Sequence, residues 1–238
     1  MSDQKIFVHI PKNAGMTIRH SDKLRGKILI NNAARHKSGQ YTSKLYEKMH
    51  ATGDHHGAEH ARWRDLDTNY RDSYAAFAVI RNPWDRVVSR YFFAKKVIEV
   101  EKKVDPSYAD VSSFEAFIEE RHKWGSEDYM WHRAVRGWYP AFDHICDDTG
   151  TVRCDIIRFE FLNQDLCRYF NIPEMTRARN VTALNPGNYL DLYTKETKQI
   201  IGDWYKKDIE YFGYEFGYGP TKNTYYEEVD YEKAQRSL

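Results

Sequence analysis

Residues 6–18 read IFVHIPKNAGMTI. The apolar run Ile6–Ile10 has the length of a short buried strand. Pro11-Lys12-Asn13-Ala14-Gly15 interrupts it, and Met16-Thr17-Ile18 continues with helical spacing, so that Gly15 to about Leu24 is expected to be a helix. A strand that ends in a glycine-containing loop and turns into a helix aims backbone N–H groups and the positive end of the helix dipole at one point. A phosphate or sulfate fits there, with the Lys12 ammonium beside it and the Thr17 hydroxyl as a further donor. The order departs from the GxxxxGK[ST] phosphate loop, in which Lys follows the last Gly; here Lys12 precedes Gly15. Alone, the stretch also reads as an ordinary strand-to-helix turn with a solvated lysine.

A second stretch changes that balance. Residues 77–91 read FAVIRNPWDRVVSRY. The apolar run Tyr74–Ile80 is another buried strand, and it ends directly in Arg81. Asn82-Pro83 opens a helix, with proline in the first turn where it is tolerated. Ser89 falls on the second turn of that helix. A guanidinium at a strand tip with a helix hydroxyl nearby is a clamp for a phosphate monoester. Both anion sites lie at carboxyl ends of strands, where open α/β sheets bind ligands. Two such sites in one chain point to a ligand with two separated anionic groups.

The rest of the chain supplies strands and helices in alternation, which argues for a parallel sheet flanked by helices. Lys27–Ile30 reads as a further strand. Phe114–Arg121 is a short helix capped by Ser112 or Ser113. DHICDDTGTVRCDIIRFE (143–160) reads as a strand–turn–strand around Asp148-Thr149-Gly150. Asn163–Phe170 is a helix. Thr194–Phe212 is one long amphipathic helix, with Ile200, Ile201, Trp204, Tyr205, Ile209 and Phe212 near period 3.6 and Gly213 as its stop. Residues 1–218 form one domain, and 219–238 read as a polar tail.

Composition narrows the function classes. The chain has 238 residues and a formal net charge of +1, so no bulk field marks a nucleic-acid or membrane binder. Hydrophobic residues make up 41% and aromatic residues 15%, enough for a core and for aromatic contacts to sugars or bases. Three cysteines, Cys146, Cys154 and Cys167, form no CxxC pair, which disfavours a zinc scaffold and favours a reducing compartment. The start MSDQKIFVHIPK lacks a signal-peptide apolar region, and no run of about 18 apolar residues occurs. The expectation is a soluble, cytoplasmic protein without a membrane partner. The sequence carries no signal of oligomeric state.

The two motifs, in this order, resemble those of the sulfotransferases. IPKNAGMTI is similar to their 5′-phosphosulfate loop and VIRNPWDRVVSRY to their 3′-phosphate motif. The likeness is to the carbohydrate-sulfotransferase branch, whose members often begin F-x-H-I-P-K-x-A-G-T-S. IIRFEFLNQDL and YTKETKQIIGDWYKKDIEYFGYEF resemble later segments of the family, so the likeness covers roughly residues 5–217. It implies a P-loop-like α/β domain, the donor 3′-phosphoadenosine 5′-phosphosulfate (PAPS), and transfer of its sulfonate group to a hydroxyl acceptor, a carbohydrate in that branch. It implies Lys12 against the donor's bridging oxygen. It further implies Asn13, Ala14, Gly15, Met16 and Thr17 around the 5′-phosphosulfate, and Arg81 with Ser89 on the 3′-phosphate. Met16-Thr17 departs from the commoner Thr-Ser or Ser-Ser, removing one hydroxyl.

Sulfonate transfer to a hydroxyl needs a base near neutral pH, and histidine is the natural one. GDHHGAEHARW (53–63) lies between the two motifs, where relatives carry a catalytic His. His55 and His56 are the candidates, with His60 and Glu59 as alternatives. A metal-binding loop and an inert surface loop are the rival readings; HHxxxH lacks the HExxH order, and no metal is expected. His9 reads as a packed histidine on the first strand. Arg158 and Glu160 brace the sheet together or face the acceptor. Arg177, Arg179 and Asn180, and the run Trp131, His132, Arg133, Arg136, Trp138 and Tyr139, are weaker acceptor candidates. Two rivals to the transferase remain: a P-loop-like kinase, disfavoured by the Lys–Gly order and the lack of a clear Mg²⁺ carboxylate, and a non-catalytic protein that binds a phosphoadenosine nucleotide or a sulfated glycan.

Overall fold

The structure is a computed structural model that describes residues 3–32, 35, 47, 58–103, 105–124, 137–175 and 188–226. Four parallel strands form the central sheet: β1 (Lys5–Val8), β2 (Ile28–Ile30), β3 (Ala76–Ile80) and β4 (Asp155–Arg158), in the order β2-β1-β3-β4. The register Ile6↔Ala76 and Val8↔Ala78 brings β1 and β3 out of the sheet side by side. Strand alternation gives each face its own core. Ile6, Val8, Ala78, Ile80 and Ile156 point to one layer, which includes Trp84, Val87, Val88, Ile201 and Phe212. Phe7, Phe77, Val79 and Ile157 point to the other, against Ile18, Leu24, Leu166 and Phe170. The fold is thus α/β, with the parallel sheet between helices.

The helices among the described residues are α1 (Gly15–Arg19), α2 (Thr68–Ser73), α3 (Pro83–Lys95), α4 (Phe114–Glu119), α5 (Ala141–Ile145), α6 (Leu162–Phe170), α7 (Lys195–Trp204) and α8 (Lys206–Phe212). Several expectations are corrected. The first helix stops at Arg19, and a separate 3₁₀ turn covers Asp22–Leu24. The expected strand–turn–strand over 143–160 begins inside helix α5; only an isolated antiparallel bridge, Cys146↔Val152, precedes β4. The 194–212 helix is two helices broken at Tyr205, whose φ of −105° and ψ of 22° leave the helical region. The break has a long-range cause. The Asp208 carboxylate accepts from the N–H groups of Ala141 and Phe142 at 2.7 and 2.8 Å, so α8 is set by capping α5.

Gly213, at φ 66°, closes α8 in the left-handed conformation that glycine tolerates. The polar stretch beyond residue 218 lies against the body as far as it is described: the Tyr225 N–H donates to the Ile156 carbonyl of β4 at 2.9 Å. Cys146, Cys154 and Cys167 are all free thiols. Among the described residues, no helix is long and apolar enough to cross a membrane.

Candidate functional site

The loop that leaves β1 is held in an unusual backbone. Lys12 (φ 70°) and Ala14 (φ 59°) are left-handed, while Asn13 between them is not. Alternation of this kind turns successive N–H groups toward one concavity, an anion-binding arrangement. Non-glycine residues adopt it only where their surroundings enforce it. Three side chains do so here. The Asn13 amide donates to the Val79 carbonyl at 2.7 Å, Arg81 Nη1 to the Lys12 carbonyl at 3.0 Å, and Arg86 Nε to the Pro11 carbonyl at 3.1 Å. The loop is therefore clamped from β3 and α3.

Asn13 is fully buried, and its own N–H donates to Ile10 O at 3.3 Å. It serves the loop from inside. The donors left to the loop are the N–H groups at the start of α1, which lack intrahelical acceptors. Gly15 is required by close approach. A Cβ there would lie 1.6 Å from His9 Nε2, so the His9 ring occupies the space of a side chain.

Arg81 links the two motifs. Its Nε and Nη2 bind Asp85 at 2.5 and 2.7 Å, one turn into α3, and its guanidinium lies 4.0 Å from the Phe159 ring centroid. Together with the bond to Lys12 O, these contacts engage three of the five guanidinium N–H groups. Two remain to offer an anion. Asp85, Ser89 and Phe93 follow at i, i+4 spacing and so share one face of α3. The Lys12 ammonium sits 4.2 Å from the Phe93 centroid. Lys12 thus meets this face at both its ends, its carbonyl through Arg81 beside Asp85 and its ammonium at Phe93, with Ser89 on the row between.

Asn82 fixes the start of α3. Its side chain accepts from the Trp84 N–H and donates to the carbonyls of Glu215 and Tyr218, both at 2.8 Å, while its own N–H donates to Glu160 Oε1 at 2.7 Å. Burial pushes the Glu160 carboxyl up to about 8. Arg158 and Glu160 do not pair. Arg158 makes a buried, two-pronged bond to Asp165 at 2.9 and 2.7 Å, and Glu160 holds Asn82. Each braces a neighbouring element, Glu160 the start of α3 and Arg158 helix α6.

Of the histidines, His55 and His56 lie outside the described residues, as do Trp131, His132, Arg133, Arg136, Arg177, Arg179 and Asn180. Trp138 is a core residue, and the Tyr139 carbonyl accepts from Arg86 Nη1 at 2.8 Å. His9 is buried, stacks on Phe7 at 5.3 Å between centroids, and meets the His60 ring at 4.2 Å. His60 Nδ1 lies 2.8 Å from the His9 carbonyl oxygen. A carbonyl only accepts, so Nδ1 carries the hydrogen and Nε2 is the basic nitrogen of the neutral ring. Glu59 Oε1 is 3.5 Å from that Nε2, and Glu59 Oε2 is ion-paired with Arg19 of α1. His60 therefore stands one aromatic ring away from the Gly15 backbone.

The motifs by themselves do not single out Asp85 and Arg86. Their signal was present in PWDRVV: an acid four residues after Arg81, and a second arginine at the helix start where the preceding loop returns.

The clamped loop, the strand-tip arginine and the histidine–carboxylate pair lie together at the carboxyl ends of β1 and β3. The arrangement suits an anionic ligand. No curated protein matches the chain. A family model described as the sulfotransferase family matches residues 3–215, and the chain belongs to that family of sulfate-transferring enzymes.

Proposed function

We propose that the protein transfers the sulfonate group of PAPS to a hydroxyl of a carbohydrate acceptor by in-line displacement. The acceptor oxygen attacks sulfur, the bond from sulfur to the bridging phosphate oxygen breaks, and the hydroxyl proton passes to a histidine. Lys12 and the N–H groups of Ala14, Gly15, Met16 and Thr17 stabilise the charge that builds on the leaving phosphate, with Asn13 holding their loop. Arg81 and Ser89 take the 3′-phosphate. The base comes from the histidine-rich stretch. His55 and His56 are favoured by the resemblance, and His60 is the described member whose tautomer is fixed with Nε2 as base. The carbohydrate class rests on the likeness of FVHIPKNAG to the opening of that branch.

The observation that carries this reading is the 3.0 Å bond between Arg81 Nη1 and the Lys12 carbonyl, which ties one motif directly to the other. Calorimetry with 3′,5′-adenosine bisphosphate tests it. Wild type is expected to bind in the micromolar range. Arg81→Ala should lose about 2–4 kcal/mol, the scale for truncating one partner of a hydrogen-bonded charge pair. Arg81→Ala also strands the buried Asp85, so Ser89→Ala is the cleaner companion, with a loss of about 1.5–3 kcal/mol for a hydrogen bond to a charged group. Equal affinity in all three proteins removes the clamp. Tight binding with no transfer from labelled PAPS to any glycan would instead favour a non-catalytic binding protein.

A further inference from the structure

Three ligand-type side chains converge beside the β1 loop: His9 at the end of β1, and Glu59 and His60 from a 3₁₀ turn over Ala58–His60. Each offers one ligand atom, and these atoms lie within 4.8 Å of one another. We propose that they form a site for one divalent transition ion, with Zn²⁺ as the best match. Two imidazoles and one carboxylate are a donor set that holds zinc while leaving a coordination position open.

The surrounding contacts favour this more than proximity alone would. A ligating histidine commonly donates its other ring N–H to a carbonyl or carboxylate, which fixes the tautomer and aims the ring. His60 does this through the 2.8 Å contact between Nδ1 and the His9 carbonyl. Its Nε2 thereby faces Glu59 Oε1 at 3.5 Å. Arg19 engages the other Glu59 oxygen, Oε2, so it orients the carboxylate without occupying the oxygen turned toward His60. The missing Cβ at Gly15 is what admits the His9 ring to this position. Zn–N bonds of about 2.0–2.1 Å in a tetrahedron place ligand atoms about 3.4 Å apart, so side-chain shifts on the order of an ångström close the site. An ion bound there takes the Nε2 lone pair of His60 and suppresses transfer. That consequence rests on His60 acting as base; the binding does not.

The test is a titration of the full chain with Zn²⁺ by calorimetry, and with Co²⁺ by visible absorption. One equivalent should bind, with the d–d bands of a four- or five-coordinate Co²⁺ centre. His60→Ala and the near-isosteric Glu59→Gln should each weaken Zn²⁺ binding by about tenfold or more, since loss of even an outer contact costs that much. If His60→Ala fails to fold by circular dichroism, Glu59→Gln carries the comparison. Unchanged affinity in the folded variants overturns the site. So does loss of binding in a His55→Ala, His56→Ala double variant with retention in His60→Ala. Zn²⁺ that binds as described but leaves transfer untouched upholds the site and removes His60 as the base.

Discussion

Asn13 shows how a residue inside the loop after β1 can hold the protein's own backbone in place. Its amide bond to Val79 O, at 2.7 Å in a fully buried setting, ties the left-handed Lys12 and Ala14 to strand β3. Replacing it leaves the Val79 carbonyl buried without that donor. Asn13→Ala is therefore expected to cost about 1–3 kcal/mol of stability, read as a lower urea midpoint. It should also weaken nucleotide binding, because the loop loses one of its three clamps. Asn13→Asp should destabilise at least as much, since it sets a carboxylate oxygen against that carbonyl. An Asn13→Ala midpoint equal to that of wild type would mean that Arg81 and Arg86 alone hold the loop.

Among the elements, helix α7 carries the plainest local code. Thr194 accepts from the Thr197 N–H at 3.1 Å, and Thr197 Oγ1 accepts from the Thr194 N–H at 2.9 Å, a reciprocal cap. Thr194→Ala should cost about 0.5–2 kcal/mol, seen as a shifted denaturation midpoint with an unchanged slope. The start of this helix at Thr194, the Pro83 start of α3 and the four strands were all legible, because each is written within a few neighbouring residues. The break at Tyr205 was not. Its apolar period runs unbroken through Ile201, Trp204, Tyr205 and Ile209, and the interruption depends on Asp208 finding the α5 N–H groups more than sixty residues away in sequence. The site divides the same way. Lys12, Gly15 and Arg81 stand out by residue type at a strand's end, whereas the carbonyl clamps from Asn13, Arg81 and Arg86 need the fold to bring distant backbone to them. His60 was one of several histidines in the sequence, and only its contact with the His9 carbonyl gives it a defined tautomer.

At the scale of the whole molecule, two buried acids bias stability toward low pH. Burial raises Glu160 from 4.5 to about 8, against the backbone N–H groups of Glu160 itself and of Asn82, which favour its charged form. It likewise raises Asp208 from 3.8 to about 6, despite two N–H donors. An acid whose folded pKa lies above its unfolded value keeps a proton in the native state that the unfolded chain releases. Its favourable contribution is complete below the unfolded pKa and is lost as pH rises through the folded one. Each group acts with a slope of up to about 1.4 kcal/mol per pH unit. The loss should be steepest between about pH 4.5 and 6, where both act, and shallower up to about 8, where Glu160 acts alone. Asp147 works in the opposite sense. Its bonds to Thr149 and Arg153 hold it well below the usual carboxylate range, and its contribution is lost only in stronger acid. The expected profile is a thermal midpoint that rises as pH falls from 8 to about 5. Glu160→Gln keeps an oxygen for the Asn82 N–H but cannot ionise, so it should flatten the segment between about pH 6 and 8 and leave the steeper segment below 6 to Asp208. Melting curves of wild type and variant across that range decide it: parallel profiles would show that Glu160 is already ionised in the folded protein at pH 6.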